Sequence, residues 1–218
     1  MSKLPSRRRR LTETRQSGAR NFVCRQNRRT TGWFPSWTAG QMVPWESRNE
    51  YHFLLCAEVT PSITSIQAQP LQLTFECGGK TVRYTPDYAV VRAADPVLVE
   101  VKPDDVAKTE AAQIFFDAAR EAALRSNYGF EVVTDKNLQQ GWLLGNATEI
   151  VRLASPHDRP ELRQRILSDL ADGLSTVGEV APDADERRWF LYAMIRRGEI
   201  VMSHDAKLCA SSVIDSFS

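Results

Sequence analysis

The sequence predicts an α/β protein: a mixed sheet flanked by helices, followed by a small segment of three helices and a hairpin. Three observations carry this. Alternating or valine-rich runs at Lys80 to Val91 and Val97 to Val101 read as strands. Thr109, Ala112, Phe116, Ala119 and Ala123 recur at spacings of three and four, which marks one stripe of a helix. Beyond residue 160, three short helical patterns precede a short apolar run, the element order of a winged helix.

Taken in order, residues 1–30 form a basic arm. They hold ten Lys or Arg against one acid, Glu13, a local charge of +9 in a chain of net +1, which leaves −8 elsewhere. Such a segment is an interaction tail, most often for nucleic acid. Arg7, Arg8, Arg9, Arg10, Arg28 and Arg29 are its candidate DNA contacts, because guanidinium groups suit bidentate phosphate binding. Gly32 to Trp45 reads as a hairpin turning near Ala39-Gly40. Ser47 to Val59 has a helical period through Tyr51, Leu54, Leu55 and Glu58. Ile66 to Glu76 reads as one long strand, and Cys77-Gly78-Gly79-Lys80 as a turn. A helix is expected from about Asp105 to Ser126, ended by Asn127 and Gly129. A strand at Phe130 to Val133 and a weaker amphipathic stretch to Arg152 complete a catalytic domain of residues 31–154.

Ser155 to Pro160 reads as a linker to a winged-helix-like domain, residues 155–218. Its helices are expected at Glu161 to Ala171, Ser175 to Ala181 and Asp185 to Arg197. Its hairpin pairs Ile200 to Ser203 with Lys207 to Cys209 across a His204-Asp205 turn. Eight basic and eleven acidic residues give this segment a net charge of −3. Arg187, Arg188, Arg196 and Arg197 offer a local basic patch, so DNA contact and protein contact stand level for it.

The chemistry lies in Ser47-Arg48-Asn49-Glu50, Tyr84-Thr85-Pro86-Asp87-Tyr88 and Val99-Glu100-Val101-Lys102. The last two follow the pattern P-D, a gap, then E-x-K. On a strand Glu100 and Lys102 share one face with Leu98, and Val97, Val99 and Val101 take the other. Pro86 breaks a ladder beside Asp87, and the gap to Pro96 is long enough for that strand to return beside Glu100. Converging carboxylates suit magnesium, which takes one or two of them plus water and phosphate oxygens. Lys102 orients or deprotonates the attacking water, or neutralises charge on phosphorus. Glu50 has two readings at even odds, metal ligand or helix cap in the box Ser47-x-x-Glu50.

A composition that is 42% hydrophobic is enough for a real core. Cys24, Cys56, Cys77 and Cys209 are scattered and make no zinc site, and reduced thiols fit a cytoplasmic protein. No apolar run is long enough to span a membrane, and no hydrophobic region follows the N-terminal arginines, so no signal peptide is expected.

With these elements in place, the chain resembles the TnsA family, the endonuclease subunit of heteromeric bacterial transposases. The likeness runs over roughly residues 45–218. It rests on Glu50, on Gln67-x-Gln69-Pro70-Leu71, on Tyr84-Thr85-Pro86-Asp87, on Val99-Glu100-Val101-Lys102-Pro103 and on Thr134-Asp135-Lys136. The resemblance implies a restriction-endonuclease-like fold and a magnesium cofactor for which manganese substitutes. Asp87, Glu100, the Val101 carbonyl and Glu50 would be its ligands, with Lys102 beside them. It implies cleavage of the 5′ ends of an element, on the strand not joined to target DNA. The implied partners are double-stranded transposon ends, a TnsB-type transposase that cuts the 3′ ends, and a TnsC-type ATPase regulator. The setting would be the bacterial cytoplasm at the nucleoid. The arginine-rich arm does not align with the family. Two alternatives remain: a non-catalytic nuclease-fold assembly factor bridging transposase and regulator, and a stand-alone restriction or repair nuclease.

Overall fold

The computed structural model describes residues 30–93, 95–183 and 186–216. The arm arginines Arg7, Arg8, Arg9, Arg10, Arg28 and Arg29 lie outside the described residues. Strands β1 (Gly32–Ser36) and β2 (Gln41–Trp45) form the expected antiparallel hairpin. Helix α1 (Arg48–Glu58) follows, with Ser47 as its N-cap: the Ser47 hydroxyl accepts from the Glu50 amide at 3.2 Å. Phe53, Leu54, Leu55, Cys56 and Ala57 of α1 are buried.

The expected long strand from Ile66 to Glu76 is two strands in two sheets. β3 (Ile63–Ala68) ends where Gln69, at φ +44°, turns the chain into Pro70. β4 (Leu73–Cys77) then pairs with β5 (Lys80–Tyr84) in a separate hairpin turned by Gly78 and Gly79, both at positive φ. The apolar alternation slips by one residue at the break, from Ile66 and Ala68 to Leu71, Leu73 and Phe75, so a single strand would have put the two halves on opposite faces. The proline removes a ladder donor and excludes a continuous central strand.

β6 (Tyr88–Arg92) returns to pair with β3, and β7 (Asp95–Lys102) pairs antiparallel with β6. β7 begins before Pro96 rather than after it. Two helices then replace the single one expected. α2 (Asp104–Ala107) stops at Lys108, and Thr109 caps α3 (Glu110–Arg125) by accepting from the Ala112 amide at 3.3 Å. Thr109 is therefore an exposed helix start, not part of the apolar stripe. Phe116, Ala119, Ala122 and Ala123 carry the buried face. β8 (Gly129–Thr134) runs parallel to β7, giving a mixed sheet of order β3-β6-β7-β8.

Each face of this sheet is covered. Ile66, Tyr88, Val90, Val99, Val101 and Val133 share one core with α1. Ala89 and Leu98, with the half-buried Phe130, meet α3 and the β4–β5 hairpin on the other face. α4 (Asp135–Gln139) and α5 (Leu143–Leu153) lie beyond β8, and Ala147 and Ile150 of α5 join the first core.

The C-terminal segment contains α6 (Pro160–Ala171), α7 (Val177–Val180) and α8 (Glu186–Arg196), then β9 (Ile200–Met202) and β10 (Ile214–Ser216). Three helices and a two-stranded antiparallel sheet are present. The second strand is not Lys207 to Cys209 but Ile214–Ser216, which pairs with β9. Residues 206–208 are instead held by Asn146 of α5: its Nδ2 donates to the Ala206 carbonyl at 2.9 Å and its Oδ1 accepts from the Leu208 amide at 2.8 Å. Ile166, Phe190, Leu191, Met194 and Ile214 belong to the same apolar cluster as α1 and the main sheet.

The expected basic patch on α8 is largely committed to internal contacts. Arg196 is only 6% exposed; it pairs with Glu58 at 3.1 Å, donates to the Pro35 carbonyl at 2.6 Å and stacks 3.9 Å over Trp37. Arg187 pairs with Asp169, and Arg188 donates to the carbonyls of Ala181 and Pro182.

Candidate active site

The proline break after β5 delivers Asp87 one step ahead of the β6–β7 ladder. That ladder opens with Tyr88 opposite Val99, so Asp87 comes into line with Glu100. The Asp87 Oδ2 accepts from the Val101 amide at 2.8 Å, which fixes the carboxylate against β7. Its own carbonyl accepts from the Gln69 amide at 2.9 Å, so the chain entering the β4–β5 hairpin is tied to the chain leaving it.

Glu100 is 4% exposed although it carries charge. Two groups compensate it. Lys102, two residues on and on the same face, approaches one oxygen at 2.5 Å, and the Tyr84 hydroxyl donates to the other at 2.5 Å. Tyr84 is itself held edge-on against Phe115 and Phe75. Sequence reasoning gave Tyr84 no role. The available signal was a phenol within three residues of a predicted metal aspartate, since a buried tyrosine hydroxyl needs a partner.

Glu50 takes part in the α1 cap, and its carboxylate also faces the cleft. Its amide closes the Ser47 cap, and its carboxylate accepts from the Glu46 amide at 2.7 Å, one residue earlier than an ordinary capping box. The same carboxylate lies 3.4 Å from the Tyr88 hydroxyl, which donates to the Pro44 carbonyl at 2.9 Å. Tyr88 is stacked on Phe53 of α1. Glu50 and Asp87 therefore line one solvent-open cleft, together with Pro44, Glu46, Ala68, Gln69 and Tyr88. Glu46 and Gln69 were not foreseen as cleft residues.

Acids outnumber cations here, and the protonation equilibria register it. Burial, then the charge of Glu100 and of Glu50, push the Asp87 pKa up to about 7, against the pull of Lys102 and the Val101 amide. Burial works against charge on Lys102, but Glu100, Asp87 and Glu50 outweigh it and hold its pKa above the usual lysine value. Burial, reinforced by Glu100, raises Tyr84 so far that it stays a phenol.

Among the described residues, no three His, Cys, Asp or Glu side chains approach closely enough to hold a metal ion between them. The donor set nevertheless fits a hard divalent cation. Oxygen ligands are present, one or two carboxylates suffice for magnesium, and the uncompensated negative charge that lifts Asp87 is the charge such an ion would neutralise.

No helix among the described residues is long and apolar enough to cross a membrane. Residues 60–135 match the family model described as TnsA-like endonuclease N terminal, a span that contains Gln69, Tyr84, Asp87, Glu100 and Lys102. No curated protein matches the chain.

Proposed function

We propose, for a chain whose residues 60–135 match the model of the TnsA-like endonuclease N-terminal region, magnesium-dependent hydrolysis of DNA at transposon ends. The cut falls on the 5′, non-transferred strand, in concert with a TnsB-type transposase and a TnsC-type regulator. The observation that carries this is the convergence of Asp87, Glu100 and Lys102 where β6 meets β7, with the Asp87 carboxyl raised by burial and then by the charge of Glu100 and Glu50.

Asp87 and Glu100 would hold the cation, with the Val101 carbonyl and Glu50 as further ligands. A bound magnesium supplies Lewis-acid polarisation of the phosphoryl oxygen and lowers the pKa of water. The protein's own groups do the rest. Lys102 is held protonated by its acidic neighbours, so its role is electrostatic: it orients water through its N–H donors and offsets charge on the reacting phosphate, rather than removing a proton. Tyr84 keeps the Glu100 carboxylate from rotating. The Val101 amide does the same for Asp87, which limits the reorganisation needed when substrate arrives.

The test is incubation of the full chain with a duplex carrying the element's end, with and without its partner transposase, in magnesium or manganese. Nicking of the 5′ end by wild type and its loss in Lys102→Ala is the expected result. Equal nicking by Lys102→Ala would defeat the reading. So would binding without cleavage in every arm, which is the behaviour of an assembly factor.

A further inference from the structure

We propose that Gln69 is a DNA-binding residue of the cleft, donating a hydrogen bond from Nε2 to a phosphate oxygen of the bound strand. The inference rests on the nuclease reading and adds a substrate contact to it.

The first argument is chemical. The cleft lining consists of Glu46, Glu50 and Asp87, the apolar Pro44 and Ala68, and two neutral polar residues, Tyr88 and Gln69. A phosphate brought here meets acceptors like itself. The Tyr88 hydroxyl is committed to the Pro44 carbonyl at 2.9 Å. Within this lining, Gln69 alone brings side-chain N–H donors. A carboxamide nitrogen carries two hydrogens, and one of them makes a long 3.4 Å contact with Glu46 Oε1. A charged phosphate oxygen is a better acceptor for the other.

The second argument comes from the backbone. Gln69 sits at φ +44° immediately before Pro70. The left-handed region is uncommon for residues with a Cβ and natural for glycine. Its amide donates to the Asp87 carbonyl at 2.9 Å, a bond that any residue except proline supplies equally well. The turn therefore explains the conformation but not the glutamine. A long polar side chain at a strained position beside the Asp87 carboxylate points to use of that side chain.

The third argument is position. Gln69 is tied by one hydrogen bond to the residue that follows Pro86, so its carboxamide reaches DNA next to the phosphate that Asp87 serves, and its location is set by the same β3–β6 framework.

Binding of a fluorescent transposon-end duplex is measured in EDTA for wild type, Gln69→Gly and Gln69→Glu, on the unmodified strand and on strands with one methylphosphonate at each position around the cut. Gln69→Gly keeps the amide and relieves the left-handed turn, so it is expected to melt at or above the wild-type temperature. It should bind about tenfold more weakly, the size of one hydrogen bond to a charged acceptor. One methylphosphonate should weaken wild type by a similar factor and leave Gln69→Gly unchanged, because both changes delete the same contact. Gln69→Glu keeps the shape, removes the donor and adds repulsion, so its loss should exceed that of glycine. Wild-type affinity in Gln69→Glu, or losses that add at every phosphate, would overturn the proposal. Absence of wild-type nicking in magnesium and manganese with the partner present overturns the nuclease reading alone, since the binding measurement needs no cleavage.

Discussion

Glu58 and Glu100 are both buried carboxylates facing a cation, yet their surroundings differ in a way that separates framework from site. Glu58 closes a full set of partners. One oxygen accepts from the Trp37 amide (2.5 Å), the Thr38 amide (3.2 Å) and Arg196 (3.1 Å), and the other accepts from the Ser36 hydroxyl (2.7 Å). Arg196 is in turn bonded to the Pro35 carbonyl and covered by Trp37. A buried ion pair tolerates its desolvation only when the remaining lone pairs and protons are satisfied this way. Around Asp87 the balance is reversed: the charges of Glu100 and Glu50 both bear on it, and Lys102 is the cation set against Glu100. Satisfied charge holds α8 to α1 and the first hairpin. Unsatisfied charge marks the place where a bound cation would be stabilised.

The comparison can be broken at either end. The largest effect is expected at the cleft. Asp87→Ala and Lys102→Ala should each lower the nicking rate per folded molecule by about 10²–10³, the usual loss when one preorganised electrostatic group is removed, with the urea midpoint of Asp87→Ala at or above wild type and that of Lys102→Ala below it, because Glu100 is left buried without its cation. Next, Glu58→Ala strands a buried guanidinium and should cost about 3–5 kcal/mol in urea unfolding, while nicking per folded molecule stays at the wild-type level. A smaller, pH-shaped effect sharpens the contrast. The Asp87 pKa is raised in the folded protein from 3.8 to about 7. Its contribution to stability is therefore fully present below about 4 and is lost as pH rises through 7. In metal-free protein, Asp87→Asn should remove that decline, seen as a flatter melting temperature between pH 4 and 8. At pH 8, magnesium should raise the melting temperature of wild type and not of Asp87→Asn. The smallest effect is Ser47→Ala, which loses the α1 cap and should destabilise by about 1 kcal/mol.

How far these features could be read from sequence depends on the range of the contacts. The mixed sheet and the Asp87–Glu100–Lys102 set were legible because strand alternation and a proline break act over a few residues. A strand at Phe130 to Val133 was expected, but its parallel pairing with β7 was not. Three local signals were weighed wrongly. Gln69-Pro70 ends β3 where the apolar alternation changes phase, Thr109 restarts a helix inside an unbroken helical pattern, and Cys209 stands where a strand was expected although Ile214 pairs with Met202. The Arg196–Glu58 bond was out of reach for a different reason. Its partners are 138 residues apart, and an arginine on a predicted helix next to three others reads as a surface charge until the fold encloses it.

The β4–β5 hairpin is interposed between two neighbouring strands of the main sheet, with Gln69 and Asp87 joined at its root and Gly78-Gly79 at its tip. Five residues per strand put that tip about 16 Å from the root at ~3.3 Å per residue. A Cβ added at Gly78 or Gly79 meets nothing within 4 Å, but both hold a positive φ that a side chain would strain, so the exposed Lys80 beside them is the residue to label. The loop is therefore a practical attachment point for a dye or short epitope: a reporter grafted there rides on the two strands that leave the cleft, and its signal would follow DNA entry without touching the chemistry.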